Sequence, residues 1–109
     1  MNVLRLPELV ATYFALPSAA DLTSLEAVFA DDAVVRDERH EHRGVAAIQA
    51  WRADTMARTP FTARPLSAEE KQGVLAVPAE VTGSFPGSPL VLVHRFTVRD
   101  GRVARLEIG

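Results

Sequence analysis

The sequence contains no cysteine, and this absence removes several kinds of chemistry at once. Without thiols the chain has no disulfide, no thiolate nucleophile and no cysteine-ligated zinc site. No apolar run approaches the roughly 18 residues that a membrane-spanning helix needs. Residues 1–8 also lack the apolar core and the small-residue cleavage site of a secretory signal. We therefore expect a cytoplasmic protein with no membrane partner.

Positive charge is scarce in the form that nucleic acids require. The 109 residues include one lysine, Lys71, beside eleven arginines, and the net charge is −2. No run of basic residues is available to form the surface stripe that neutralises phosphates. The sequence therefore predicts no nucleic-acid partner.

Three common catalytic signatures are missing as well. The sequence has no Gly-rich phosphate loop, no Gly-x-Ser-x-Gly elbow and no His-Glu-x-x-His motif, which excludes the enzyme classes built on them. The segment His40-Glu41-His42 follows two acidic residues and has the donor types of a metal site. Its high charge is more simply explained by solvation, and we expect neither a metal nor a cofactor.

What the sequence does contain is apolar residues at helical spacing in its first half. A chain of 109 residues with 48% apolar content is expected to form one domain, residues 1–109. Helices are predicted over residues 7–16, 22–29 and 45–58. Pro17 and Ser18 should end the first helix, Asp21 should cap the second, and the third should begin after Gly44.

The second half shows strand patterns separated by turn signals. Strands are predicted over 32–38, 62–67, 74–83, 90–98 and 103–108, and residues 39–43 form either a charged loop or a very short strand. Pro78 removes a backbone donor and predicts a bulge or an edge. Helices first and hairpin-connected strands second indicate an α+β fold, with three helices on one side of a curved antiparallel sheet of four to six strands.

Three segments resemble the signatures of the nuclear-transport-factor-2-like superfamily. Residues 29–37, FADDAVVRD, resemble its Phe-Ala-x-Asp-Ala-hydrophobic-hydrophobic-x-Asp signature. Residues 43–48, RGVAAI, resemble its entry to the third helix, and residues 101–106, GRVARL, resemble its closing strand. The closest subgroup is the SnoaL-like proteins, which include polyketide cyclases. The resemblance implies a cone of helices and sheet around one pocket, and a homodimer.

Ketosteroid isomerase belongs to the same superfamily, and the resemblance implies candidate catalytic residues. Its helix-borne tyrosine corresponds to Tyr13, and its general-base aspartate corresponds to Asp37. Its third group, a protonated aspartate, corresponds to His94, which is a departure from the family pattern. A neutral histidine can still donate a hydrogen bond through one ring nitrogen.

The residues themselves allow two interpretations of each candidate. Asp37 shares a strand face with Val35, so it is either a desolvated base in an apolar pocket or a strand-end carboxylate paired with a nearby arginine. Tyr13 points its hydroxyl into the pocket or bonds it to backbone in the core. His94 lies on the apolar face of residues 90–98, as a pocket proton handler or as a satisfied core histidine.

The remaining apolar residues predict the pocket wall and an interface. The wall residues we expect are Phe14, Phe29, Val35, Trp51 and Phe96, although the aromatic ones are also consistent with plain core. The turn at residues 85–89 should lie near the pocket mouth or at a dimer face. The opposite sheet face, with Val91 and Val93, is apolar enough to need cover.

Two functions follow from these expectations. In the first, the pocket binds a small apolar carbonyl compound, Asp37 moves a proton next to the carbonyl, and Tyr13 or His94 stabilises the enolate oxygen. In the second, the same pocket binds a ligand or supports dimerisation without catalysis. Fold alone does not decide between them.

Overall fold

The computed structural model describes residues 6–16 and 21–109. Two helices precede the first strand, a third helix follows a hairpin, and five further strands complete the chain. In order, the elements are α1 (Glu8–Ala15), α2 (Leu22–Val28), β1 (Phe29–Asp37), β2 (His40–Arg43), α3 (Val45–Arg58), β3 (Phe61–Pro65), β4 (Glu69–Lys71), β5 (Val74–Gly83), β6 (Leu90–Arg99) and β7 (Arg102–Ile108). No helix in the described ranges is both long and apolar enough to cross a membrane.

Each helix begins where its sequence predicts. The Asp21 carboxylate caps α2 by accepting a hydrogen bond of 2.8 Å from the Ser24 N–H, which satisfies one of the free donors of the first turn. Before α3, Gly44 has a φ of 84°, a conformation that side chains with a Cβ rarely adopt. Pro17 and Ser18, predicted to end α1, lie outside the described residues.

The sheet is mixed, so the prediction of a purely antiparallel sheet was wrong. Its strands are ordered β2-β1-β7-β6-β5-β3, with β4 on β5, and β1 pairs with β7 in parallel. Turn signals in the sequence predict pairing only between strands that follow one another. β1 and β7 pair although nearly the whole domain separates them in the sequence. The count of seven strands also exceeds the four to six expected, because the short charged strands β2 and β4 carry little apolar signal.

Pro78 lies within β5, at the point where the neighbouring strand on one side changes from β3 to β4. β3 pairs with β5 as far as Ala79, and β4 resumes the pairing at Ala76. The Pro78 carbonyl accepts a hydrogen bond of 2.8 Å from the Leu66 N–H on this side. The missing donor of the proline therefore falls at a break between two strands, which is the local edge that the sequence indicates.

The hydrophobic core lies between the helices and one face of the sheet. Neighbouring strands place Val35, Leu106 and Phe96 in one row, and all three side chains are almost fully buried. Helices α2 and α3 cover this face by packing on β1. The next row on this face, nearer to the carboxyl end of β1, consists of Asp37, Ile108 and His94.

We predict that Phe96→Ala lowers the free energy of unfolding by about 3–5 kcal/mol, because a buried aromatic ring is replaced by a cavity. Val98→Ala on the same strand is the control, since Val98 is about half exposed, and it should cost less than about 1 kcal/mol. Urea denaturation measures both. Equal losses would contradict the assignment of Phe96 to the core.

Candidate active site

The site is built on one row of residues that crosses three strands. Ile108 of β7 is paired with Asp37 of β1 on one side and with His94 of β6 on the other. Residues paired across a sheet point to the same face. With strands about 4.8 Å apart, the two outer residues are separated by roughly 10 Å along the sheet, which leaves room for a small molecule above Ile108.

A cavity of about 360 Å³ opens over this row. Tyr13 of α1 and Trp51 of α3 cover it from the helical side, so Asp37, Tyr13 and His94 all line the same space. Its full lining comprises Tyr13, Asp37, Glu38, Trp51, Thr55, Thr59, Phe61, Val81, Phe85, Pro86, Leu90, Leu92, His94 and Ile108.

Asp37 is a half-buried carboxylate whose side-chain hydrogen-bond partner is neutral. The Trp51 indole Nε1–H donates to Asp37 Oδ2 at 3.1 Å. Burial raises the pKa of Asp37, and the hydrogen bond from Trp51 opposes that rise only in part. A carboxylate with a raised pKa is a better proton acceptor in the neutral range.

Trp51 is held in place from two sides. Helix α3 begins at the Gly44 turn, where the Gly44 N–H donates to the Ala33 carbonyl at 2.8 Å, and this contact lays the helix across β1. On the strand side, the imidazole of His42 stacks on the indole with ring centroids 5.7 Å apart. The indole N–H therefore meets Asp37 at the end of β1.

Tyr13 lies at the centre of an aromatic cluster. Its ring meets Phe14, Phe29 and Phe96 edge to face, with centroids 5.2–5.9 Å apart. Burial raises the pKa of the Tyr13 phenol, and the nearby positive charge of Arg52 opposes the rise. Tyr13 therefore stays protonated near neutral pH and can donate a hydrogen bond into the cavity.

His94 is 3% exposed and its tautomer follows from one contact. Its Nδ1 lies 3.2 Å from the Leu92 carbonyl oxygen, and a carbonyl only accepts, so Nδ1 carries the hydrogen. Burial lowers the pKa of His94, which keeps the ring neutral near pH 7. Its Nε2 consequently carries a lone pair and acts as a hydrogen-bond or proton acceptor.

A family model described as the SnoaL-like domain matches residues 10–106. This match runs from α1 into β7 and covers most of the chain. The chain belongs to the SnoaL-like family. The resemblance seen in three short segments of the sequence is thereby confirmed.

Solved structures agree with this assignment. A candidate polyketide cyclase from Sinorhizobium meliloti is 43% identical to the SnoaL-like chain, with a TM-score of 0.89 and 95% of each chain covered. A Catenulispora acidiphila protein with a ketosteroid isomerase-like fold has a TM-score of 0.80 at 19% identity, covering 96% of this chain and 86% of its own. A candidate isomerase of the SnoaL-like family from Agrobacterium tumefaciens has a TM-score of 0.74 at 12% identity, with 92% of each covered. No curated protein sequence matches the chain.

The predicted pocket wall of this SnoaL-like domain needs correction at three of its five residues. Trp51 lines the 360 Å³ cavity, and Phe14 lines an adjoining one. Phe29, Val35 and Phe96 instead belong to the buried core, with at most 1% of each side chain exposed. Val35 and Phe96 lie on the correct face but two residues deeper than Asp37 and His94, because alternation along a strand identifies the face and carries no information about depth.

Sequence reasoning also missed several residues of the site. Thr55 follows Trp51 by one helical turn, and Leu92 precedes His94 on the same strand face, so periodicity was available as a signal for both. Phe61 and Val81 come from β3 and β5, whose positions over the cavity depend on sheet order. Phe85 lies in the 85–89 turn and lines the cavity, which agrees with the first of the two positions expected for that turn.

The charged segment after β1 forms the short strand β2, which is one of the two alternatives that the sequence allows. His40 Nδ1 contacts the carbonyl of Glu38 at 3.0 Å, whereas His42 stacks on Trp51. Across residues 6–16 and 21–109, no group of three or more histidine, aspartate or glutamate side chains is arranged to hold a metal ion.

We predict that Asp37→Asn makes the domain more stable at pH 7. Because the pKa of Asp37 is raised on folding above its ordinary value near 3.8, the folded state holds the proton more tightly than the unfolded state. The free energy of unfolding therefore falls as the pH rises through the folded pKa, and the loss is complete above it. The amide removes this loss, so its melting temperature should exceed that of the wild type at pH 7 and match it near pH 3.

The exposed Asp31 provides the control, since Asp31→Asn removes the same charge at the surface. Its melting temperature should follow the wild type at both pH values. An advantage of Asp37→Asn that is constant with pH would contradict the desolvation of Asp37.

Proposed function

We propose that this SnoaL-like domain catalyses cofactor-free proton transfer at the carbon next to the carbonyl of a small, mostly apolar compound. The observation that carries the proposal is the convergence of Asp37, Tyr13 and His94 on one largely apolar cavity. The Asp37 carboxylate has a raised pKa there, which is the property expected of a general base.

The chemistry requires one base and one hydrogen-bond donor. Asp37 accepts the proton from the carbon, and the electron pair of the broken C–H bond moves to the carbonyl oxygen as an enolate. The Tyr13 hydroxyl donates to this oxygen as negative charge develops on it. With a β,γ-unsaturated ketone, the proton then returns from Asp37 to the far carbon of the dienolate, which completes an isomerisation. Alternatively, the enolate carbon attacks a second carbonyl and closes a ring, and the alkoxide that forms takes up the proton held by Asp37.

His94 has a different role from the one its position first implies. Its Nδ1–H is committed to the Leu92 carbonyl, so the neutral ring cannot also donate to an enolate through Nε2. Tyr13 is therefore the donor of this site, and His94 accepts a hydrogen bond or a proton from a hydroxyl of the ligand.

Two relatives support proton-transfer chemistry. The 43% identical S. meliloti protein is a candidate polyketide cyclase, and the A. tumefaciens protein is a candidate isomerase. Ring closure through an enolate and movement of a double bond both begin with removal of a proton next to a carbonyl.

A second candidate function is ligand binding without catalysis. The observation that favours it is that His94, with its Nδ1–H bonded to the Leu92 carbonyl, does not act as a second oxyanion donor beside Tyr13, whereas enolate-stabilising sites commonly use more than one. A binding pocket makes no such demand, and the apolar lining would retain a ligand equally well.

Exchange of carbon-bound hydrogen tests the proposal without knowledge of the substrate. We predict that the wild type accelerates deuterium incorporation into 2-tetralone in D2O, followed by NMR. Asp37→Asn should lower the rate by about 10²–10⁴-fold because the base is lost, and Tyr13→Phe by about 10²–10³-fold because the oxyanion donor is lost.

Asp31→Asn is the matched control, since Asp31 is exposed and does not line the cavity, and it should exchange at the wild-type rate. Binding of 2-tetralone is measured in parallel by its effect on NMR line widths. Binding with no exchange above the buffer rate would replace the catalytic proposal with the binding function.

We also propose that the domain is a homodimer through the sheet face opposite the cavity. Val91 of β6 is 50% exposed. It lies between the cavity residues Leu90 and Leu92, so its side chain points to the opposite face. Light scattering at micromolar concentration should give about twice the chain mass of 11.9 kDa, and Val91→Glu should halve it by placing a charge in the apolar contact. A wild-type mass of one chain would contradict the dimer.

A further inference from the structure

Arg52 is a buried cation on the cavity side of α3. Only 8% of its surface is exposed. One terminal nitrogen donates to the Leu16 carbonyl at 3.2 Å, whereas its Nε has no hydrogen-bond partner within the described ranges. Arginine remains charged at all relevant pH values, so a positive charge with unused donors stands inside the domain.

Among the residues that the structure describes, no carboxylate forms an ion pair with this charge. The ion pairs found in residues 6–16 and 21–109 involve other arginines. The undescribed stretches 1–5 and 17–20 contain no aspartate or glutamate. Partial compensation comes from the Leu16 carbonyl and from the Tyr13 ring, whose centroid is 5.6 Å from the guanidinium carbon. An isolated buried charge is costly, and an anionic ligand would remove that cost.

A second cavity, of about 290 Å³, lies against Arg52. Three of its lining residues also line the 360 Å³ cavity, so the two spaces are neighbours separated by those side chains. The lining comprises Tyr13, Phe14, Leu16, Arg52, Met56, Phe61, Thr62, Ala63 and His94, and the shared residues are Tyr13, Phe61 and His94.

We propose that Arg52 binds a carboxylate of the ligand in this second cavity. The planar guanidinium presents its donors in the geometry that a carboxylate matches, and the surrounding aromatic rings fit an apolar body. The substrate class rests in addition on the proposed proton transfer. If both sites act on one molecule, that molecule is a keto acid. Its carboxylate would lie at Arg52 and its carbonyl beyond Tyr13, near Asp37.

Binding is tested with 2-naphthoate and its neutral analogue 2-naphthamide, by calorimetry on the wild-type protein. We expect 2-naphthoate to bind about 10- to 100-fold more tightly, because hydrogen bonds to a charged group are among the stronger ones. The preference should be constant between pH 6 and pH 9, since neither arginine nor the carboxylate titrates there. Equal affinities would overturn the proposal.

The variant Arg52→Met should abolish the preference and leave 2-naphthamide binding unchanged. It should also melt no lower than the wild type, because a buried charge without a partner is replaced by an apolar side chain of similar length. Arg95→Met removes an exposed arginine of β6 and should keep the preference. A preference for 2-naphthoate that survives in Arg52→Met would assign the carboxylate to another group and overturn the proposal. A preference that weakens as the pH rises and His94 loses its proton would do the same.

A readout on the folded wild type covers the case in which Arg52→Met does not fold. The side-chain Nε–H resonances of arginine, observed with 15N-labelled protein, should show one signal that shifts with 2-naphthoate and does not shift with 2-naphthamide. If no arginine signal shifts with 2-naphthoate, the proposal is overturned. These measurements involve no turnover, so their outcome is independent of the exchange assay with 2-tetralone.

Discussion

The parallel pairing of β1 with β7 is the constraint on which the site depends. It joins the first strand of the sheet to the last, and it places Ile108 between Asp37 and His94. Without it, the carboxylate and the imidazole would belong to separate hairpins with no fixed distance. Because both pairings are backbone ladders, the spacing of the two groups is set by strand geometry and is insensitive to the side chains around them.

The cavity contains charges that the protein itself does not neutralise. Asp37 is bound by a neutral indole, and Arg52 rests on an aromatic face and one carbonyl. Most buried charges in proteins are paired. Two such charges, beside two adjoining cavities, lower the stability of the folded state. Functional sites commonly retain groups of this kind despite that cost.

The sequence predicted the elements better than their assembly. The helix starts at Asp21 and Gly44 and the span of β5 were predicted correctly, because caps, turns and alternation are local signals. The turn between β1 and β2 gave no such signal: Glu38 and Arg39 both have positive φ, where glycine or asparagine is usual. The parallel contact of β1 with β7 has no local signature, so the antiparallel sheet was a natural error.

The same distinction explains the site. Tyr13, Asp37 and His94, which line one cavity, were predicted together because a family resemblance supplies positions that periodicity alone cannot. Val35 and Phe96 were misplaced because strand alternation defines a face and not a depth. Arg52 was overlooked because an arginine on an alanine-rich helix resembles a solvated residue, and its burial results from tertiary contacts with Tyr13 and Leu16.

The hydrogen bond between Trp51 and Asp37 has a spectroscopic consequence. Trp51 is the one tryptophan in the sequence, and its indole N–H is bonded directly to the candidate base while its ring stacks on His42. Indole emission responds to the charge of nearby groups and to the polarity around the ring. The tryptophan fluorescence of the domain therefore comes from a residue that lines the cavity. It should change when Asp37 ionises or when a ligand enters, without any added label.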